Sequence, residues 1–409
     1  MEEAIDFSST IVLATDDLKK GMYVSYLDKP WLDTPFPFRG FEIETDEDLE
    51  RLRENCEYVF IQTERGNYPD GYERHMEATT QRERIMQHNV TGLGEWQITA
   101  ETEQEYPAAE SAISGLRKAV IRALEAASRR TEPDIGSIRK AVEPLQKSVE
   151  RCPDAALYAI RISDSGDYLY RHAVSCAVLG MVMGKALGLP GDAPANLAVG
   201  CALLDIGKLR VPQELLNRPN SIALTSGEMV QLKKHVRHSV DLIAADPWAR
   251  KYLKPTVAFH HERHDGSGYP DGLTGDEIPL SARISGIIDF YDAMISHRTY
   301  GRRATANEAM RYIRQRRGKD FCPALVDQFV EIFRLYPTGS LVELSDGTVG
   351  RVIQQPRTGL LTPRVHLILD ENKERLHEYR TVELVASVGA VDTLCVTKCL
   401  KAGSYGIEC

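Results

Sequence analysis

The sequence predicts a multidomain protein: an all-α core, preceded by a small α+β module and followed by a small β module. Three observations carry this. A chain of 409 residues is longer than one domain usually needs. Between residues 157 and 335 apolar residues recur at helical spacing, with strand signals nearly absent. Strand-like runs bounded by turn residues are confined to the two ends.

Residues 1–65 form the α+β module. Val12–Ala14, Gly21–Tyr26 and Tyr58–Ile61 read as short strands. Pro30–Gly40 holds three prolines and reads as a loop or edge segment. Thr45 followed by Asp46, Glu47 and Asp48 is a helix start, with Leu49, Leu52 and Cys56 on one face. No cluster of catalytic residue types stands here, so sensing or docking is the expectation.

Residues 66–107 are polar and read as a linker. The helical domain is expected over 108–336. Leu116, Val120 and Leu124 mark one leading helix; Ile138, Val142, Leu145 and Val149 mark a second, kinked or split at Pro144. Arg171–Leu187 is apolar almost all round, as a buried helix must be, and Pro194–Asp205 is similar. Gly227–Ala244 is amphipathic, and Pro255–His264, Leu280–Ile295 and Ala306–Gln315 complete the helices. From 337 the pattern changes. Ser340–Leu344 and Thr348–Ile353 flank Asp346-Gly347, a hairpin signal, and Arg364–Leu369 is a third strand. The tail after Ala386 carries no assignable pattern.

Bulk properties narrow the function. A net charge of −9 argues against a nucleic-acid polymer as general partner. No run is apolar and long enough for membrane insertion, and the first twenty residues lack a secretory pattern. Eight scattered cysteines are not a disulfide framework and fit a reduced, cytoplasmic setting. Cys395 and Cys399 are the closest pair, without the further ligands a zinc site needs.

The chemistry concentrates around Phe259–Pro270. His260 and His261 stand beside Glu262, and a turn containing Gly266, Gly268, Tyr269 and Pro270 follows. Other polar residues interrupt apolar helices: His172 ahead of Cys176 and Leu179, Asp205 after Leu197–Leu204 with Lys208 one turn on, His235, and Asp289 between Ile288 and Phe290. Singly, each has a structural explanation. A histidine can be a satisfied core group, Asp205 a helix-end acceptor, Asp289 an arginine's partner, and the glycine loop plain surface. Jointly, they are six metal-competent groups in one helical domain, where buried charge is costly unless paired or metal-bound.

The same residues carry a resemblance. Residues 155–335 resemble the HD-GYP family, the subgroup of HD-domain phosphohydrolases that hydrolyses cyclic di-GMP. The matching text is Tyr170-Arg-His172; Leu204-Asp-Ile-Gly-Lys208 with Val211-Pro212; Lys234-His235; His260 through Pro270; Gly272-Leu273 with Ile278-Pro279-Leu280; Ala282-Arg-Ile284; Asp289-Phe-Tyr-Asp292-Ala293; and Arg298-Thr-Tyr300. Gly21–Val24 and Trp31–Phe38 are similar to an accessory domain that precedes some members.

The resemblance implies an HD-type helical core with two divalent metal ions, iron or manganese. Its implied ligands are His172, Asp205, His235, His260, His261 and Asp289, with Asp205 bridging. Lys208 would contact the scissile phosphate and Arg298 would bind phosphate. Gly266, Gly268, Tyr269 and Pro270 would govern substrate access and contact with GGDEF-domain diguanylate cyclases. Metals a few ångströms apart activate water and neutralise phosphate charge. A homo-oligomer is compatible with this reading.

The chain departs from the family pattern in three places. Leu204 replaces the histidine of the His-Asp pair, so the second metal site is expected to be weaker. Gly301 stands where many members have a cation, with Arg302 and Arg303 beside it. Tyr168 occupies the position of a glutamate found in three-metal members, which argues against a third ion. The expectation is hydrolysis of the phosphodiester bonds of cyclic di-GMP, with reduced activity. The alternative is a catalytically degenerate member that binds cyclic di-GMP or a GGDEF partner and signals without hydrolysis. A third reading, hydrolysis of another phosphoester, is disfavoured by the intact Gly266–Pro270 loop.

Overall fold

The computed structural model describes residues 10–15, 18–27, 36, 41–56, 58–66, 98–162, 167–216, 224–296, 304–355, 363–384, 394–401 and 403–407. The proline-bearing stretch 30–40, Phe36 apart, lies outside them, as do Arg298–Arg303. By contacts the chain divides into two compact units. One is Met1–Arg84 with Glu343–Gly350 and Gln355–Lys398; the other is Ile85–Val342 with Arg351–Gln354 and Cys399–Cys409.

The N-terminal module is a four-stranded sheet of order β1-β4-β2-β3, with β1 Thr10–Ala14, β2 Met22–Leu27, β3 Phe41–Glu42 and β4 Tyr58–Gly66. Its helix α1, Asp46–Asn55, starts at the capping box read from the sequence. Asp48 N–H donates to Thr45 Oγ1 at 3.1 Å, and Thr45 N–H returns to the Asp48 carboxylate at 2.9 Å. Leu52 is fully buried there with Met22, Val24, Ile43, Val59 and Ile61.

The second unit is helical. Helix α2, Thr102–Ser128, begins ahead of Ala108; its first turn is polar and carries no apolar period that would mark it in the sequence. Helix α3, Ile135–Arg151, runs unbroken through Pro144, so of the kink or split expected there the split does not occur. Ile138, Val142, Leu145 and Val149 are all fully buried, and that face outweighs the one backbone bond a proline removes. Then come α4, Pro153–Ile162, α5, Tyr168–Ala186, and α6, Ala193–Ala202, which is followed by a 3-10 turn, Ile206–Arg210. Helix α5 is the central rod, buried nearly all round. Gly180 and Gly184 let α6 approach it: a Cβ on Gly180 would meet Cys201 Sγ at 2.9 Å, and one on Gly184 the backbone of Pro194 at 3.0 Å.

Short helices α7, Gln213–Leu216, α8, Ser226–Lys233, α9, His235–Ile243, α10, Pro247–Tyr252, and α11, Lys254–Phe259, lead to the glycine loop. The amphipathic run 227–244 is thus two helices meeting at Lys234 rather than one. Helices α12, Leu280–Ile295, and α13, Ala306–Gln315, match their expected bounds; α14, Pro323–Phe333, was not foreseen. One apolar cluster joins α2–α6 with α12–α14.

The C-terminal strands are β5 Leu341–Leu344, β6 Val349–Gln354, β7 Arg364–Leu369, β8 Arg375–Glu383 and β9 Val396–Leu400, in order β8-β7-β6-β5-β9. The Asp346-Gly347 hairpin is present, with Gly347 at φ +85°. Strands β8 and β9 were not expected from the sequence; in β9 the burial does not alternate.

Candidate metal centre

Helices α5 and α12 face each other across His172. Asp289 and Asp292 lie three residues apart on α12 and so share one face. His172 is 2 % exposed; its Nε2 lies 3.0 Å from Asp289 Oδ1 and its Nδ1 2.7 Å from Asp292 Oδ2. Asp292 is itself fixed: Ser175 Oγ donates to it at 2.5 Å, Ser296 Oγ at 2.9 Å, and the Arg161 guanidinium stands at 3.4 Å. Burial pushes the His172 pKa down, but Cys176, Tyr168 and the two carboxylates outweigh it and hold the ring well above its ordinary value. A proton and a metal ion therefore compete for Nε2.

Asp205 follows the end of α6. The turn is strapped to α9 by Ser239, whose Oγ accepts from Gly207 N–H at 2.9 Å and donates to the Leu204 carbonyl at 2.8 Å. Gly207 has to be glycine, because a Cβ there would sit 2.1 Å from the His235 carbonyl. The strap aims the Asp205 carboxylate inward. Oδ1 is 3.4 Å from His235 Nε2, and Oδ2 is 3.5 Å from His172 Nε2 and 2.5 Å from Lys208 Nζ. Burial and Asp289 act to raise its pKa, yet Lys208, His235 and His172 hold it well below the usual carboxylate range. The ammonium of Lys208 stays protonated, since Asp205 and Asp289 offset its own burial.

His235 and His260 use one device. At each helix junction the ring takes a carbonyl three residues back: His235 Nδ1 with Leu232 O at 2.7 Å, His260 Nδ1 with Val257 O at 2.9 Å. A carbonyl accepts, so Nδ1 carries the proton and Nε2 keeps its lone pair. His261 Nε2 lies 3.1 Å from His235 Nε2. Burial lowers the pKa of all three histidines, to about 4 for His260, so they are neutral ligands near pH 7. His260 Nε2 and Asp205 Oδ1 are buried without a hydrogen-bond partner.

Two ligand groups result. Asp205, His235, His260 and His261 place one ligand atom each within 4.8 Å of one another, and so do His172, Asp205 and Asp289. Asp205 belongs to both. Imidazole nitrogens and carboxylate oxygens suit divalent first-row ions, and the two orphaned atoms are what such an ion would satisfy. The residues therefore fit a metal pair. A third grouping, His172, Cys176 and Asp292, fits poorly. Burial pushes the Cys176 thiol up to about 12, against the thiolate a metal requires, and Asp292 is already saturated.

The glycine loop forms the rim. Glu262, 5 % exposed, accepts from the backbone N–H groups of Asp271, Gly272 and Leu273 at 2.7, 3.1 and 3.1 Å. Gly266 is at φ +79°, and a Cβ on Gly268 would meet Arg263 N at 2.4 Å. Tyr269 stacks on His261 at 4.7 Å between ring centroids, and Lys233 Nζ lies 4.6 Å from its ring centre on α8. Pro270 is exposed.

All six expected ligands and Lys208 thus meet at one buried centre, with Gly266–Pro270 beside it. Arg298 and Arg302 lie outside the described residues. Leu204 is 1 % exposed but belongs to neither apolar core cluster, while its neighbour Leu203 does. Sequence reasoning gave no role to Asp292, Ser239 and Glu262. Asp292 left a signal as a second carboxylate one turn beyond Asp289, and Glu262 as the acid beside the histidine pair; Ser239 left none.

These features define an HD-type domain, and comparison with known proteins agrees: an HD domain model matches residues 159–325, and the domain of unknown function DUF3391 matches 10–138. The chain is 32 % identical to cyclic di-GMP phosphodiesterase PA4108 of Pseudomonas aeruginosa, over 85 % of this chain and 82 % of that protein. It is 36 % identical to the cyclic di-GMP phosphodiesterase response regulator RpfG of Xanthomonas campestris, over 41 % of this chain and 44 % of that one. The solved structure of Bd1817, an HDG"Y"P protein from Bdellovibrio bacteriovorus, aligns at 15 % identity and a TM-score of 0.46, covering 79 % of this chain and 99 % of that one. The chain belongs to the HD-GYP family.

Proposed function

We propose that this protein hydrolyses the phosphodiester bonds of cyclic di-GMP at a two-metal centre. The observation that carries the reading is Asp205, whose two oxygens face two separate ligand groups. His235, His260, His261 and Asp205 would hold one ion; His172, Asp205 and Asp289 would hold the other. Iron or manganese suits this mixed imidazole and carboxylate set. Such a pair supplies Lewis acidity and an activated water at neutral pH.

The chain's own residues do the remainder. Lys208, charged and 22 % exposed at its side chain, offers a cation to a phosphate oxygen at the mouth of the centre. Asp292 holds the His172 ring and the Leu232 and Val257 carbonyls hold His235 and His260, so the ligand atoms need no reorganisation. The half-exposed Gly266–Pro270 loop, pinned by Glu262, would line the substrate entrance and offer a docking edge to GGDEF-domain cyclases. Arg298 and Arg302 are assigned to phosphate binding on the sequence pattern alone. The described cysteines form no disulfide, which suits a cytoplasmic setting.

One observation favours a second reading. Leu204 occupies the histidine position of the family's paired motif, so the group built on His172 has one ligand fewer. A chain that holds its ions asymmetrically and signals by binding cyclic di-GMP would look the same. Metal content of anaerobically purified protein, measured with cyclic di-GMP turnover and binding, separates the two. Two ions per chain with turnover supports hydrolysis; binding without turnover in the metal-loaded protein supports the signalling reading. Neither metal nor nucleotide binding would sink both.

A further inference from the structure

A cavity of about 100 Å³ opens in the helical unit, away from the metal ligands: none of them lines it, nor does Lys208. Among the described residues four arginines do, Arg117 on α2, Arg161 on α4, Arg171 on α5 and Arg351 on β6. No aspartate or glutamate among the described residues lines it. In a chain of net charge −9 this is a local reversal of sign.

Two of the arginines are held by one glycine. Arg351, 5 % exposed, donates from a terminal guanidinium nitrogen to the Gly339 carbonyl at 3.0 Å. Gly339 sits at φ +90°, and a Cβ there would lie 2.4 Å from Arg161 Cγ, so its bare backbone lets the Arg161 stem pass. Arg161 then rests 5.9 Å over the Tyr291 ring and 3.4 Å from Asp292. Arg117 is half-buried and makes no ion pair among the described residues. Guanidinium groups do not shed their protons, so the lining keeps its positive charge at any ordinary pH, which favours an anionic occupant.

We propose that this cavity binds a single oxyanionic group, a phosphate or a phosphomonoester head. Planar guanidinium forks match tetrahedral oxyanions. Size limits what the cavity itself encloses: a cavity of roughly 150 Å³ takes benzene, so one of about 100 Å³ holds a phosphoryl group and leaves any esterified remainder at the mouth. Ile160, Val174 and Ile295 give the mouth an apolar side that would meet the remainder of an ester. Arg161, Ser175 and Ser296 line the cavity and also contact Asp292, which holds His172. An occupant therefore bears on the contacts that orient a metal ligand.

The test is calorimetric titration of the chelator-treated full chain with inorganic phosphate and, separately, with a nucleoside 5′-monophosphate. Wild type should bind one equivalent of at least one of them. Arg117→Glu, a half-exposed change, should weaken binding at least tenfold, and Lys208→Met should leave it unchanged. Should Arg117→Glu fail to fold, Arg351→Met tests the same site. Binding of phosphate itself would identify the free ion as sufficient; binding of the ester alone would identify an esterified head. The proposal is overturned if neither ligand binds in the millimolar range. It is equally overturned if binding survives both Arg117→Glu and Arg351→Met; loss in Lys208→Met would then locate the anion at the metal centre.

Discussion

At the scale of single residues the centre depends on Asp205, Asp292 and Leu204. Asp205→Ala removes the one oxygen pair that faces both ligand groups, so metal content and any hydrolysis should fall to background by elemental analysis and nucleotide assay. The apo fold should survive, because the same change removes a buried charge. A variant that kept two ions per chain would make Asp205 a structural aspartate. Asp292→Asn acts one step outward. It weakens the acceptor for His172 Nδ1, and losing such a support lowers metal affinity about 10- to 100-fold. Leu204→His should raise metal occupancy per chain by adding an imidazole to the sparser group. Unchanged occupancy in a folded variant would mean that position 204 faces away from the ions.

At the scale of elements the centre is a set of helix ends and close approaches. Part of this was legible: His172, Asp205 and Asp289 stood out as polar residues in apolar helices, where buried charge is costly unless paired or metal-bound, while His235, His260 and His261 were marked by the family motif. What was not legible has a physical cause. The run 227–244 reads as one amphipathic helix, yet it breaks at Lys234, where the His235 ring binds the Leu232 carbonyl. Pro144 suggested a break, and packing overrode it. The Ser239 strap and the Glu262 anchor join a side chain to distant backbone, and no local periodicity encodes that. Gly207 is the sharpest element-scale test. Gly207→Ala pushes a methyl into the His235 carbonyl, so α9 must shift from the Asp205 turn. Unfolding in urea should show a loss of about 1–3 kcal/mol or more, accompanied by lower metal content. Full metal content at wild-type stability would show that this approach is not needed.

At the scale of the whole molecule, the ligands come from α5, α9 and α12, from the turn after α6 and from the end of α11, so ions bound there would tie separate parts of the helical unit together. A ligand present at 100 times its Kd stabilises the folded state by about 2.7 kcal/mol. Chelator should accordingly lower the thermal midpoint of wild type but leave that of Asp205→Ala in place. Equal midpoints for wild type with and without chelator would separate the ions from the fold. The helical stretch and the strands near both ends were visible from the switch in hydrophobic period. Strand β9 was not visible, because its burial does not alternate from one residue to the next and leaves no period-2 signal.

The grip of Glu262 on three consecutive amides has a consequence in the time domain. Loop amides normally trade their hydrogens with water quickly, yet those of Asp271, Gly272 and Leu273 are each committed to one buried carboxylate. In deuterium exchange they should be slow beside that of Ser267, whose amide bonds only its exposed neighbour Asp265. Glu262→Ala should release all three together, since they share one acceptor. A rim already set in this way loses little conformational freedom when a partner settles on it, so association there would be limited by encounter and orientation and not by ordering of the loop.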